Sequence, residues 1–257
     1  MRLARSITVQ NLAMRAASFL RKATRAGRPI TPAAGQFAEV VCSELSLAER
    51  FQRMYELNLW GEHGSRSGLG SSRRSTARVR AQLPGLLRSL GVRRLLDVPC
   101  GDFHWMRRVD LDGIDYTGAD IVSSLVAELR VRYERPGRRF IHVDLTIGPL
   151  PPADAVLCRD CLVHLSYANI ARCFDAIQAS GARYLLTTTF PAHDDNTDVR
   201  DGEWRPLNLA RPPFCLSAPV ASIVEGCTED GSAYVDKSLT VWRVEELPSA
   251  LSSAERR

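Results

Sequence analysis

Three aspartates in this sequence stand where an α/β protein binds a ligand. Asp97 lies within a short apolar run that predicts a buried strand, and Asp120 and Asp144 follow the next two such runs. Ligands of open α/β sheets bind beyond the carboxyl ends of the strands. The spacing from Asp97 to Asp120 fits an acid that accepts both ribose hydroxyls of a nucleotide, and Asp144 is then placed to accept from an exocyclic adenine amine. Any one such acid would ordinarily form a turn or a helix cap. Three acids at the ends of three consecutive predicted strands favour a shared ligand site.

The elements that carry these acids alternate between strands and helices. Seven apolar runs predict strands: Leu95–Val98, Tyr116–Ala119, Phe140–Val143, Ala155–Cys158, Tyr184–Thr189, Val220–Val224 and Ser238–Val244. Amphipathic spacing predicts helices over Ser123–Tyr133 and Ser166–Ser180. This alternation predicts an α/β fold, a doubly wound, Rossmann-like, seven-stranded and mostly parallel sheet with helices on both faces.

Ahead of the first strand, two helices and a flexible loop are expected. Ser46 and Glu49 form a capping-box pattern that opens the first helix. Residues 64–72 are rich in glycine and serine, and we interpret them as a lid or entrance loop, with a plain linker as the alternative. The second helix, over residues 75–90, is expected to bend or restart at Pro84.

The first strand leads into a turn where the backbone can approach a ligand. Pro99 and Gly101 stop the strand, and residues 103–109 are expected to start a short helix. The segment Asp97-Val-Pro-Cys-Gly-Asp-Phe103 resembles the acid-x-glycine-x-glycine-x-glycine loop of the class I S-adenosylmethionine-dependent methyltransferases. It keeps the acid and the central glycine, whereas Pro99 and Phe103 stand where glycines are usual.

This resemblance covers the core from about Leu95 to Val244. It implies S-adenosylmethionine as the cofactor, and a set of residues that bind it: Asp97, Pro99, Cys100, Gly101, Asp102, Phe103, Asp120, Ile121, Asp144, Leu145 and Arg159. The family acts on many acceptors, so the fold does not name the substrate. The same departures from glycine spoil a dinucleotide G-x-G-x-x-G fingerprint, which argues against a dehydrogenase.

If the resemblance holds, the end of the fourth strand, residues 159–162, faces the transferred methyl group. It carries neither the Asn/Asp-Pro-Pro-aromatic motif of methylases of exocyclic base nitrogens nor the Pro-Cys of those that attack a pyrimidine carbon. This argues against nucleic acid and for a small-molecule or glycan acceptor.

Methylation of a hydroxyl needs a base beside the oxygen. His164 and Asp160 are the predicted catalytic residues, since one helical turn separates them, and His193 stands behind them. Activity is then expected to rise with pH through a histidine titration near ~6.5, shifted upward by a nearby Asp160. A packed position at the start of a helix is the alternative role of His164.

Metal assistance is the runner-up mechanism. Asp160 after the fourth strand and Asp194 and Asp195 after the fifth offer the hard oxygen ligands that magnesium prefers. Similar magnesium-dependent O-methyltransferases place acids in these two regions. Polar residues after a strand are common, so a site without metal is the first expectation.

The stretch after the fifth strand is predicted to build the acceptor pocket. Trp204 offers an aromatic surface and Asn208 an amide, and together with His193 they are the predicted substrate-binding residues. Such groups suit a small molecule or a glycan. A segment that only caps the sheet is the alternative.

Composition bounds the class of protein. Apolar residues make up 45% and charged residues 25%, the net charge is +5, and Lys22 and Lys237 are the only lysines. No apolar run approaches the ~20 residues that span a bilayer. Seven irregularly spaced cysteines predict reduced thiols in a cytoplasmic protein. The first 35 residues are basic and lack acids, which predicts a basic extension, with a mitochondrial transit peptide as the alternative.

Four segments are therefore expected: a basic extension over 1–35 joined by a linker at 29–35, a helical or lid segment over 36–92, a methyltransferase domain over 93–248, and a tail over 249–257. The predicted function is transfer of a methyl group to a hydroxyl with a side-chain general base. A cofactor-binding assembly or scaffold protein without transfer activity is the alternative from another class. The sequence makes no prediction of oligomeric state.

Overall fold

The computed structural model describes residues 34–60, 64–229 and 233–248. The predicted tail 249–257 and the basic extension up to residue 33 lie outside the described residues. Seven strands are present among the described residues: β1 (Arg94–Asp97), β2 (Asp115–Asp120), β3 (Arg138–His142), β4 (Ala155–Cys158), β5 (Tyr184–Thr189), β6 (Ala221–Val224) and β7 (Ser238–Arg243). The α-helices are α1 (Ala34–Cys42), α2 (Leu47–Glu56), α3 (Ala77–Ser89), α4 (Ser123–Tyr133) and α5 (Tyr167–Ala179).

The strands form one sheet in the order β3-β2-β1-β4-β5-β7-β6. The pairings among β1 to β5 are parallel, and β7 runs antiparallel to both β5 and β6. The predicted α/β class and the mostly parallel, seven-stranded, Rossmann-like sheet are confirmed. Because β1 to β5 are parallel, their carboxyl ends, and the loops that follow them, meet along one edge.

Both faces of the sheet are buried, which explains the continuous apolar runs in its central strands. Leu96 and Val156 pack on one face, in a cluster that includes Phe174 of α5. Their neighbours Leu95 and Leu157 pack on the opposite face, with residues of α3 and α4. Successive side chains of a strand point to opposite faces, so each short run supplies both layers of the core. No described helix is long and apolar enough to cross a membrane.

The first two helices form a small cluster of their own. The predicted capping box is present: the Ser46 hydroxyl accepts from the backbone N–H of Glu49, and the Glu49 carboxylate accepts from the backbone N–H of Ser46. Phe37 of α1 packs with Met54 of α2. Helix α1 begins at Ala34, inside the predicted linker 29–35, because its apolar residues have a partner surface on α2.

Two local predictions hold only in part. Residues 103–109 contain only a short 3₁₀ helix, Met106–Arg108, because Phe103 has a positive φ of 57° and its ring turns into the core. Helix α3 runs through Pro84 without restarting. Leu83 and Leu87 on either side of this proline are fully buried, and burial of an apolar face stabilises a helix more than local propensity does.

Candidate active site

A cavity opens at the carboxyl edge of the sheet, beneath the glycine- and serine-rich loop. Residues 67–71 of that loop form one wall, and the ends of β1, β2 and β4 form the floor. Most of the predicted site residues line this cavity: Asp97, Pro99, Cys100, Gly101, Asp120, Ile121, Asp144, Leu145, Arg159, Asp160, His164 and Trp204. Four of the predicted cofactor- and substrate-binding residues do not line it: Asp102, Phe103, His193 and Asn208.

Asp120 joins the end of β2 to the turn after β1. One carboxylate oxygen accepts from the backbone N–H of Gly101 at 3.0 Å, and the other accepts from that of Val122 at 3.0 Å. Burial raises the pKa of this carboxyl to about 6. Each carboxylate oxygen has two lone pairs, so both oxygens can accept a further hydrogen bond from a ligand.

Asp97 is the second buried acid on the floor. Its carboxylate accepts a hydrogen bond of 2.6 Å from the Tyr116 hydroxyl. Burial raises the pKa of Asp97 to about 7, and the nearby Asp120 acts in the same direction. A buried carboxyl with this pKa is half-protonated at neutral pH, so a cationic ligand group beside it would favour its ionised form.

Hydrogen bonds connect the turn after β1 to the glycine- and serine-rich loop. Gly101 has a positive φ of 53°, and a Cβ atom there would collide with the Ser67 hydroxyl. That hydroxyl accepts from the backbone N–H of Asp102 at 2.9 Å. The Asp102 carboxylate accepts from the Ser65 hydroxyl at 3.1 Å and from the backbone N–H of Arg66 at 2.9 Å. Asp102 therefore holds the loop rather than facing the cavity.

Phe103 and Asp144 also have structural partners. The Phe103 ring packs among Tyr116, Tyr133 and Phe140, with centroid distances of 5.2–5.3 Å. One Asp144 oxygen accepts from both the backbone N–H and the hydroxyl of Thr146, at 2.8 and 2.7 Å. Phe103 thus belongs to the core, whereas Asp144 lines the cavity and closes a turn as well.

His164 lies in a short 3₁₀ helix, Leu162–His164, after β4. Its Nδ1 donates to the backbone carbonyl of Glu203 at 2.9 Å, since a carbonyl can only accept. The neutral ring therefore carries its free lone pair on Nε2. Burial lowers the pKa of His164 to about 4 and outweighs the opposing effect of Asp160, so the predicted upward shift was wrong.

Asp160 is held in ion pairs. Its Oδ2 accepts from Lys237 Nζ at 2.7 Å and lies 3.1 Å from Arg159 Nη1. Although burial acts to raise the pKa of Asp160, these two cations hold it well below its usual range. A carboxylate so engaged is a poor proton acceptor, and its charge acts instead on its neighbours.

Arg159 connects this cluster to the overlying loop. Its guanidinium donates to both carboxylate oxygens of Glu225, at 2.9 and 2.6 Å, and to the carbonyl of Gly70 at 2.9 Å. It also lies over the ring of Trp105, 5.4 Å from the centroid. The sequence reasoning missed Glu225 and Lys237. The one signal available was Lys237 itself, an isolated lysine in an arginine-rich chain, directly before an apolar strand.

Aromatic side chains surround the other end of the cavity. Phe190, Trp204 and Tyr234 line it and contact one another edge to face, with centroids 5.0–5.9 Å apart. Trp60 also lines it, and its ring lies edge to face with the His164 ring, with centroids 6.3 Å apart. This end is an apolar, aromatic compartment, which suits a ring or another flat group.

His193 and Asn208, two of the predicted substrate-binding residues, lie behind this compartment. The Asn208 amide donates to the backbone carbonyls of Pro191 and His193, at 3.1 and 2.7 Å. The His193 ring stacks on Tyr234 with centroids 5.8 Å apart. Both residues support the wall that Tyr234 and Trp204 present to the cavity.

The acids of the magnesium alternative are not assembled. Asp160 is engaged with two cations, and the Asp194 side chain is 86% exposed beside Arg211. Asp195 lies outside the lining of the cavity. Within the described parts of the chain, no three His, Cys, Asp or Glu residues are grouped so that they could hold a metal ion.

No known family model matches the sequence, and no curated protein does. Among solved structures, the chain is similar to 1,6-didemethyltoxoflavin-N1-methyltransferase of Burkholderia thailandensis, at 15% identity over 84% of this chain and 91% of that one, with a TM-score of 0.49. It is also similar to the methyltransferase domain of the bacterial protein CtHen1-CN, at 12% identity over 45% of this chain and 66% of that one, with a TM-score of 0.40.

A third similar structure is CalS10, an amino pentose methyltransferase of Micromonospora echinaspora, at 24% identity over 42% of this chain and 48% of that one, with a TM-score of 0.37. The chain covers less than two thirds of CalS10 and of the CtHen1-CN domain.

Proposed function

We propose that this protein is an S-adenosylmethionine-dependent methyltransferase acting on a small-molecule or glycan acceptor. The observation that carries the proposal is the two-ended cavity at the carboxyl edge of the sheet. Buried acids and a glycine turn line one end, and aromatic residues with His164 line the other. A cofactor and an acceptor can therefore meet over the end of β4.

The acidic end fits the cofactor. Asp120, buried and with an accepting lone pair left on each oxygen, would take both ribose hydroxyls. The oxygen of Asp144 that is not used by Thr146 would accept from the adenine amine. Burial raises the pKa of Asp97 to about 7, and pairing with the ammonium of the methionine portion would favour its ionised form.

His164 is the proposed general base. When bound, the cofactor supplies an electrophilic methyl group on a sulfonium. His164 Nε2 would take the proton from the acceptor hydroxyl as the new oxygen–carbon bond forms and the sulfur–methyl bond breaks, and neutral S-adenosylhomocysteine would be left. A pKa of about 4 keeps the imidazole neutral at physiological pH, and the Asp160 carboxylate would stabilise the imidazolium that results. No step is assigned to magnesium, since Asp160, Asp194 and Asp195 do not form a ligand set.

Transfer of a labelled methyl group tests the proposal. The protein is incubated with labelled S-adenosylmethionine and fractionated pools of phenols, sugars and amino sugars. Wild type should label at least one pool, His164→Gln should label it far more slowly, and Asp194→Asn should match wild type. Tight cofactor binding without transfer to any pool would instead favour the scaffold function.

A further inference from the structure

Glu229 lies on the acceptor side of the cavity. It belongs to the connection between β6 and β7, and it lines the same cavity as His164. In the sheet, β6 and β7 lie on one side of β1, and β2 and β3 lie on the other. The acids proposed for the ribose and adenine follow β2 and β3, so Glu229 stands at the opposite end from them.

One carboxylate oxygen of Glu229 has no hydrogen-bond partner among the residues that the structure describes. Oε1 is buried, and no donor reaches it within the described part of the chain. A buried acceptor without a donor is costly, and more so when it carries charge. The structure thus contains a group that a ligand donor would satisfy.

The neighbouring charges do not neutralise Glu229. Two cations, Arg159 and Lys237, face two anions, Asp160 and Glu225, with separations of 2.6–3.6 Å. Against the effect of burial, Glu229 also acts to raise the pKa of both cations. Two cations are therefore shared by three anions, and His164 is neutral. The group of five therefore carries one negative charge in excess at this end of the cavity, and a positively charged ligand group would balance it.

The walls of the compartment also favour a cation. Trp60, Phe190, Trp204 and Tyr234 line the cavity, and aromatic faces attract ammonium groups. We propose that the methyl acceptor carries a positively charged amine, which the carboxylate of the half-buried Glu229 binds while aromatic side chains surround it. This proposal rests on the methyltransferase function and narrows its substrate class.

The test uses protein saturated with S-adenosylhomocysteine, whose binding is first measured by calorimetry. Tyramine, tryptamine and octopamine are then titrated, each beside an uncharged isostere, such as 4-propylphenol for tyramine, and tryptophan fluorescence is recorded. At least one amine should bind about tenfold tighter than its isostere, as a charge-assisted contact predicts. That preference should disappear in Glu229→Gln. The matched control is Glu245→Gln, an exposed acid outside the cavity, which should keep it.

Two results would overturn the proposal while leaving the proposed function intact. One is normal S-adenosylhomocysteine binding with no preference for any of the three amines over its isostere. The other is a loss of S-adenosylhomocysteine affinity in Glu229→Gln, because the carboxylate would then serve the cofactor. Failure of wild type to bind S-adenosylhomocysteine would count against the methyltransferase function itself.

Discussion

Asp97→Asn should stabilise the cofactor-free protein at neutral pH and weaken its affinity for S-adenosylmethionine. The folded protein raises the pKa of Asp97 from 3.8 to about 7. Between these two values the folded state binds a proton that the unfolded state has lost, so the free energy of unfolding falls as pH rises. Asparagine does not titrate and can still accept from Tyr116.

The size of the effect follows from the shift. The difference of about 3 pH units, at about 1.4 kcal/mol per unit, amounts to about 4 kcal/mol of stability lost by wild type on going from pH 4 to pH 8. The variant avoids this loss, so its advantage over wild type should grow across the same range. Without the carboxylate, pairing with a cofactor ammonium is also lost, and affinity should fall at least about tenfold.

Urea denaturation at several pH values between about 5 and 8, without cofactor, measures this directly. Asp110→Asn is the control, because the Asp110 side chain is 67% exposed and pairs only loosely with Arg88 at 3.7 Å. Stability curves of Asp97→Asn and wild type that stay parallel over the whole range would refute the reasoning.

Three further predictions concern the base, the ion cluster and the boundary of the domain. His164→Gln should slow transfer about 10²–10⁴-fold with unchanged cofactor affinity. With a pKa near 4, wild-type kcat should be nearly flat from about pH 6 to 9, and a steep rise there would exclude this base. Glu225→Ala should lower the free energy of unfolding by about 3–5 kcal/mol in urea titrations, because it strips the buried Arg159 of a partner, and a loss below about 1 kcal/mol would contradict that. Residues 34–248 alone should bind cofactor as the full chain does in calorimetry, and weaker binding would show that the removed ends contribute.

The sequence predicted the fold correctly where buried strands leave continuous apolar runs along the chain. Ala155–Cys158 and Tyr184–Thr189 were predicted with the bounds that the structure gives, because a strand buried on both faces is apolar throughout. Phe103 was misread, since a positive φ at a non-glycine residue depends on the aromatic pocket that receives its ring. Local spacing does not contain that information.

The sequence predicted only those site residues that lie at the ends of the parallel strands. Asp97, Asp120 and Asp144 meet at one edge because parallel strands bring their ends together. Lys237 is 77 residues from Asp160 and Glu225 is 66 from Arg159, so their pairing depends on the reversed strand β7. The low pKa of His164 could likewise not be predicted from the sequence, because it results from burial by residues that are distant in the chain.

The central claim is that Asp120 and its neighbours hold S-adenosylmethionine at the edge of the sheet. Calorimetric titration of S-adenosylhomocysteine into wild type and into folded Asp120→Ala tests it most directly. Losing the acceptor of two ribose hydroxyls should cost about 1–3 kcal/mol, which is about 5- to 150-fold in affinity. Wild type should therefore bind, and the variant should bind more weakly by that factor. Absence of binding by wild type, or equal affinity in a folded Asp120→Ala protein, would contradict the claim.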